Sequence, residues 1–309
     1  MAIYDNERLV IKVCQLFYNE EKNQKEISSI LNISKPQVCR ILSFAKEQKI
    51  VTFQIKNPYT KEFEMEKRLI EKYNLKEAFV FDTKEDFTQL GEAFALELDR
   101  YLTDNSIVGV MSGTSVLSIA NHAHRLNREN LLFVPLAGGQ GSNGTDWQAN
   151  DIARTFAKKT GGNYRLLNAP ILVKSLEMKR LLCEETFIKE TLDKAKNATI
   201  SLLGIGTISE SSSAYLNGFF ADVDIPKLLN LGAVASVGTS FLDKDGNLID
   251  CEFCDRSIGL SLSDMENSIK IAIASGEDKL EAVHSALISG YLDVFVSSLE
   301  FSNLLLKTF

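Results

Sequence analysis

This 309-residue chain has few cysteines, three histidines, one tryptophan and no long apolar run. The five cysteines, at 14, 39, 183, 251 and 254, are odd in number and scattered, which excludes a disulfide framework and fits a reducing compartment. No stretch approaches the roughly 18 apolar residues that span a bilayer, and MAIYDNERLV lacks the basic-then-apolar layout of a signal peptide. A cytoplasmic protein with no membrane partner is expected. His122, His124 and His284 fall on predicted helices of the body, and no Ser/His/Asp set or carboxylate pair stands out. Cys251-Glu-Phe-Cys254 has metal-ligand spacing without a second pair nearby. A redox CxxC normally opens a helix, whereas this one follows a strand-like segment, so no metal, cofactor or redox role is expected of it.

What is present belongs to a globular protein: 45% hydrophobic and 24% charged residues, enough for a substantial core in one large or two smaller domains. Charge is unevenly placed. Residues 1–60 hold nine Lys and Arg against six Asp and Glu, or +3, which leaves 25 against 35, or −10, for the rest. Phosphate attraction supplies most nonspecific DNA affinity, so a positive module on a negative body suits a DNA reader.

Residues 23–50 carry the spacing of a helix-turn-helix. Ile27, Ile30 and Leu31 form the apolar stripe of a short helix beginning near Asn23. Asn32-Ile33-Ser34 breaks it, with Ile33 turned back into the core and Ser34 as the next N-cap. Pro36 sits in the first turn of the second helix, whose buried face is Val38, Ile41, Leu42 and Ala45. Ser34, Lys35, Gln37, Arg40 and Ser43 are left facing outward as candidate DNA contacts, because a helix in the major groove reads with its N-terminal side chains. The alternating IVTFQI (50–55) is read as a possible wing strand, and Asn57-Pro58 as the start of a linker. These readings place a helix-turn-helix DNA-binding domain at 1–57 and an α/β effector-binding and oligomerisation domain at 58–309. The stripe Met65, Leu69, Ile70 either leads into that body or pairs subunits.

From residue 78 apolar runs alternate with amphipathic helices: AFVF, IVGVM, LLFVPL, ATISLLGIG, AVASV and LDVFVSS. Continuous apolar strands joined by such helices predict a mostly parallel, Rossmann-like sheet covered on both faces, with ligands beyond the carboxyl ends of its strands. Met111-Ser112-Gly113-Thr114-Ser115 follows one strand and opens a helix, where backbone N–H groups would meet an anion; a plain capped turn is the competing reading. It has neither a Walker lysine nor the spaced glycines of a dinucleotide fingerprint. Ala137-Gly138-Gly139-Gln140-Gly141 lets the backbone approach a ligand, and Asn143, Asp146, Trp147, Gln148 and Asn150 offer hydroxyl recognition. Gly204, Gly206 and Lys279 complete the candidates.

The order of motifs along the whole chain resembles the SorC family of bacterial sugar-responsive transcriptional regulators. QKEISSILNISKPQVCRIL is followed in turn by FVPLAGG, NGTDWQANDIARTFAKKTGG, SLLGIG, GAVASVGTSFLDKDG, RSIGLSLSDM and ASGEDKLEAVHSALISGYLDVFVSS. The resemblance implies a body with the fold of glucosamine-6-phosphate deaminases, ribose-5-phosphate isomerases and CoA transferases, used as a sensor rather than an enzyme. It implies that Gly113, Thr114 and Ser115 hold a phosphate or terminal hydroxyl, Gln148 a sugar hydroxyl, and Lys279 an anionic end. Relatives often carry a basic residue where this chain has Ala137, and GAVGE with an Arg-Phe-Phe turn where it has Ser236 and Ser240. Those departures point to a singly phosphorylated or unphosphorylated sugar or polyol. The expectation is a homodimeric or homotetrameric regulator that binds double-stranded operator DNA of a carbohydrate-utilisation operon under effector control. The alternative is an isomerase or deaminase on the same scaffold, with Asp146 or Asp151 as its acid or base.

Overall fold

The computed structural model describes residues 6–83, 86–139, 146–210, 212 and 224–309. Gln140, Gly141 and Asn143, singled out above, lie outside the described residues. The chain divides into two units, Met1–Pro58 and Tyr59–Phe309.

The first unit is helical: α1 (Glu7–Cys14) running into a π-turn, then α2 (Gln24–Leu31) and α3 (Lys35–Glu47). Asn23 starts α2 through a reciprocal cap, its side chain accepting the Lys25 and Glu26 N–H groups while Glu26 accepts the Asn23 N–H at 2.8 Å. Asn32, in the left-handed region at φ 49°, ends the helix. Ser28 then pins the turn: its carbonyl accepts the Ile33 N–H at 3.1 Å and its hydroxyl donates to the Ile33 carbonyl. Val10, Val13, Ile27, Val38, Ile41 and Ala45 are fully buried between the helices.

Two expectations fail here. Ile30 is 53% exposed. At about 100° per residue it lies about 60° to one side of Ile27, and Leu31 about 40° to the other, so the narrow seam takes Leu31. IVTFQI forms no strand, since a lone alternating segment has no ladder to join. Its Val51 packs on the core, while Phe53 lies edge-on to Tyr18 at 5.4 Å.

The second unit is the α/β body the strand–helix alternation predicts. Its parallel ladder runs β1 (Glu77–Phe81), β9 (Val294–Ser298), β8 (Ile269–Ile273), β5 (Ile200–Thr207), β2 (Ile107–Val110), β3 (Leu132–Pro135), β4 (Asn163–Tyr164). Antiparallel β6 (Ala233–Val237) joins the far end of β5, and β7 (Ser240–Asp243) joins β6. Alternate residues serve two separate cores. Phe79, Ile271, Ile273, Val294 and Val296 meet Leu90 and Phe94 of α5 (Phe87–Leu98), Ile119 of α6 (Thr114–His122) and Phe156 of α7 (Ala149–Thr160). Ala78, Val80, Ala272 and Phe295 meet Leu69 of α4 (Thr60–Tyr73), which thus leads into the body, together with helices 280–288 and 299–308. Each fully buried phenylalanine contributes about 1.5–3 kcal/mol.

Strand β8 escaped the sequence reading because Lys270 interrupts its apolar run. Lys270 is buried, and its ammonium is satisfied by the Met265 and Ser268 carbonyls at 3.2 and 3.0 Å and by Asp293 at 3.3 Å. Asp293 also pairs with Lys76 at 2.8 Å.

Glu66 of α4 accepts the Val80 N–H at 3.0 Å, and burial, helped by Glu77, Glu97 and Glu62, raises its pKa to about 7 against the binding effect of that N–H. The folded chain therefore holds this proton more tightly than the unfolded one. Its stabilising effect is complete below the ordinary value of 4.5 and is lost as pH rises through about 7. Glu66→Gln, which keeps the acceptor, is expected to raise the melting temperature at pH 8 and to match the parent at pH 4. A lower melting temperature at pH 8 would contradict the direction of the shift.

Candidate functional site

On α3 the residues proposed to face DNA divide by role. Lys35, Arg40 and Ser43 are exposed on one side of a helix whose other side is core. The Arg40 Nε makes a long contact to the Pro36 carbonyl at 3.4 Å. Ser34 and Gln37 are partly engaged in the helix start: Gln37 Oε1 accepts the Ser34 N–H at 2.8 Å and its hydroxyl at 2.9 Å. Gln37 therefore has its amide nitrogen, but not its oxygen, left to offer a base edge, a correction to its reading as a wholly outward side chain.

In the body, β2, β3 and β4 run outward in one direction from the middle of the sheet, and β5, β8 and β9 in the other. The reversal falls between β2 and β5, and ligands of such sheets bind beyond the carboxyl ends at that point. There β2 gives way to Gly113, at φ 144° and ψ 150°, a conformation open almost only to glycine. α6 starts at Thr114 with no side chain capping it, so its first N–H groups point to the strand ends. The Ser115 side chain is buried. The Gly113 N–H donates to the Trp147 carbonyl at 2.9 Å, which ties the β2 turn to the loop before α7. Gln148 is the N-cap residue of α7, and its Oε1 lies 3.3 Å from where a Cβ on Gly139 would stand. Gly113 and the two ends of the β3–α7 connection, Gly139 and Gln148, thus come together.

The glycines serve different ends. A Cβ on Gly138 would sit 2.5 Å from the Ala169 carbonyl oxygen, and one on Gly206 would sit 2.6 Å from Ser236 Oγ. Both admit the chain's own neighbouring segments rather than a ligand, which corrects their reading as ligand-facing. Gly204 differs, having nothing within 4 Å of its Cβ direction. It continues the alternation of Ile200 and Leu202, so it opens on the face of the sheet that carries α5, α6 and α7. Asn150, read as a hydroxyl-recognising side chain, is occupied: it accepts the Leu167 N–H at 2.9 Å and donates to the Leu167 carbonyl at 3.2 Å. That clamp shapes a cavity of about 580 Å³ lined by Gly139, Asn150, Leu167, Asn168, Ala169 and Pro170. The 167–170 segment carried no sequence signal. Asp151 pairs with Arg154 at 3.3 Å. Ser240 is also committed, its hydroxyl accepting the Leu262 N–H at 3.0 Å.

Lys279 follows β8 on a turn opened by Gly276 at φ 109°. Its ammonium stands 5.3 Å from the centre of the Phe87 ring at the start of α5. Burial pulls its pKa down, opposed by Asp278. The Phe87 carbonyl accepts the Ser118 hydroxyl of α6 at 2.8 Å, so Lys279, α5 and the helix opened by Gly113 share one face. Phe87 was missed in the sequence, although Asp86 marks a helix start there by accepting the Thr88 N–H at 2.8 Å.

Residues 57–307 match the family model described as "Putative sugar-binding domain". The chain belongs to this family. The SorC-type resemblance of its motifs agrees with its relatives. It is 28% identical over 302 residues to the deoxyribonucleoside regulator of Bacillus subtilis strain 168, covering 94% of this chain and 95% of that protein. It is 26% identical over 311 residues to the sorbitol operon regulator of Klebsiella pneumoniae, covering 98% and 99%. The crystal structure of the full-length sorbitol operon regulator SorC from Klebsiella pneumoniae has the same fold, with a TM-score of 0.74 at 24% identity over 98% of this chain and 99% of that one. No helix among the described residues of this family member is long and apolar enough to cross a membrane.

Ile27→Ala is expected to destabilise the first unit by about 2–5 kcal/mol, whereas Ile30→Ala should change its stability by less than about 0.5 kcal/mol. Gly113→Ala should cost about 1–3 kcal/mol through backbone strain alone, since its Cβ meets nothing within 4 Å. Thermal and denaturant melts of the variants check these values, and an unchanged Gly113→Ala melt would remove the strained turn from the account.

Proposed function

We propose that this chain is a cytoplasmic transcriptional regulator of a carbohydrate-utilisation operon. In this reading α3 reads double-stranded operator DNA, and a sugar, polyol or sugar-phosphate effector bound at the strand ends of the α/β body changes operator affinity. The observation that carries the reading is the joining, in one chain, of a capped helix-turn-helix to a sugar-binding family domain with an uncapped helix N-terminus at its sheet reversal. The relatives named above, a deoxyribonucleoside regulator and a sorbitol operon regulator, support a regulator over an enzyme.

Lys35 and Arg40 supply phosphate and base contacts, with Ser34, Ser43 and the Gln37 amide nitrogen beside them. A two-fold operator calls for a two-fold reader, so the working form is a homodimer or a homotetramer. In the body, the turn at Gly113 presents the Thr114 and Ser115 N–H groups, which together with Lys279 receive one anionic group, and Gln148 reads a hydroxyl beside Gly139 and Gly204. Ala137 adds no second cation, which favours a single phosphate or none.

The test is a gel shift on DNA flanking the chain's own operon, with and without ribose 5-phosphate, 2-deoxyribose 5-phosphate, sorbitol 6-phosphate, sorbitol and erythritol. Arg40→Ala is expected to weaken binding by about 1–3 kcal/mol with little change in melting temperature. Gly204→Ala, whose methyl enters open space, is expected to keep the melt and operator affinity but lose the effector response. Absence of binding to every adjacent promoter fragment, with or without the panel, would overturn the proposal.

A further inference from the structure

Cys251 and Cys254 are among neither the α3 residues nor the strand-end residues described above. Contrary to the sequence expectation, this CxxC does open a helix: Cys251 is the N-cap of Glu252–Arg256, its sulfur accepting the Cys254 N–H at 3.4 Å. The two sulfurs lie 2.9 Å apart, and Cys254 is partly accessible while Cys251 is buried. Among the described residues no group of three His, Cys, Asp or Glu is placed to hold a metal. The helix leads at once into a segment that bonds to both sides of the glycine turn. Ser257 donates its N–H to the Cys254 carbonyl at 3.3 Å, and Ile258 donates to Ile171 at 2.7 Å. The Ile258 carbonyl accepts the Gly138 N–H at 3.0 Å, and Leu260 donates to Leu136 at 2.8 Å.

We propose that Cys251 and Cys254 form a reversible disulfide by exchange with a low-molecular-weight disulfide such as oxidised glutathione, and that this bond alters the packing of residues 257–260 against the 136–139 turn. One sulfur of the pair, as thiolate, attacks one sulfur of the small disulfide, whose S–S bond breaks and whose other half leaves as a thiol after taking a proton. The other cysteine then loses its proton, attacks the sulfur of the first and expels the second thiol. Two protein thiols and one small disulfide become one protein disulfide and two small thiols. The neighbouring Cys254 thiol, with the Cys254 and Phe253 N–H groups, brings Cys251 down to about 7 against the opposing effect of burial, while Cys254 is pushed up. At neutral pH one sulfur is therefore partly thiolate beside a thiol that can resolve it. Burial instead raises Cys14 and Cys183.

The inference is independent of any effector or DNA. The full chain is equilibrated in glutathione buffers of increasing oxidation, quenched with an alkylating agent and cleaved with trypsin, which yields Asp245–Arg256 with both cysteines. The expected result is a peptide that loses two hydrogens and takes no alkyl group in oxidising buffer, and that reverts with dithiothreitol. Cys251→Ser and Cys254→Ser, each with a melt to confirm folding, should give a mixed disulfide with glutathione or an alkylated thiol but never the two-hydrogen loss. Hydrogen exchange at Gly138, Ile258 and Leu260 should differ several-fold between the reduced and oxidised parent and not between buffers in either variant. A peptide that stays doubly alkylated while exposed Cys39 takes up glutathione would overturn the modification site. A disulfide that forms with unchanged exchange would overturn its coupling to the turn.

Discussion

β2 is paired in parallel with both β3 and β5, and what lies above the sheet depends on that pairing. Parallel neighbours cannot be joined by a hairpin, so the connections between the parallel strands cross a face of the sheet and all seven of those strands end at the same edge. Because the chain runs outward from β2 in one direction and from β5 in the other, the loops leaving these strands diverge and open a crevice between them. Gly113 turns the chain into α6 at that crevice, and its hydrogen bond to Trp147 brings the next crossover to the same spot. The polar groups described there are mostly backbone N–H groups and neutral side chains, with the Lys279 ammonium beside the Phe87 ring on the same face. Such a set matches a hydroxylated ligand with at most one charged end better than it matches acid–base chemistry, which asks for a positioned pair.

The parts legible in the sequence are those fixed within a few residues. The caps at Asn23 and Ser34, the stop at Asn32 and the three-and-four spacing of Val38, Ile41, Leu42 and Ala45 are local, and the helices follow them. The unread parts hinge on distant partners. β8 was hidden because the stem and ammonium of Lys270 are accommodated by Met265, Ser268 and Asp293, the last of them 23 residues away. Gly138 was visible as a close-approach glycine, but only the segment at 169–171 shows that the approach is by the chain itself. Asn150 is claimed by Leu167, 17 residues on, and Ser240 by Leu262. Ile30 and the segment 50–55 fail for the opposite reason: their patterns are right for elements that find no partner to bury them.

On the proposed reading, effector control is a question of free-energy difference between two states of the chain. Driving one site from 1:99 to 99:1 takes about 5.5 kcal/mol of differential affinity. A charge-assisted hydrogen bond supplies about 1.5–3 kcal/mol, and the end of a helix such as α6 adds at most about 2 kcal/mol in a partly buried setting. The anionic end of an effector, with two N–H groups and an ammonium to receive it, meets the requirement only where most of those bonds are lost in the second state. Lys279 makes that end more favourable than its exposure suggests, because burial already penalises its charge before any anion arrives. Where the anion's contacts persist in both states, the difference comes from contacts that read hydroxyls, as at Gln148, or from a second site acting on the same equilibrium in a symmetric assembly. Either source makes the response depend on the sugar and not on its phosphate alone, which a site built of one half-buried cation and several neutral groups is suited to enforce.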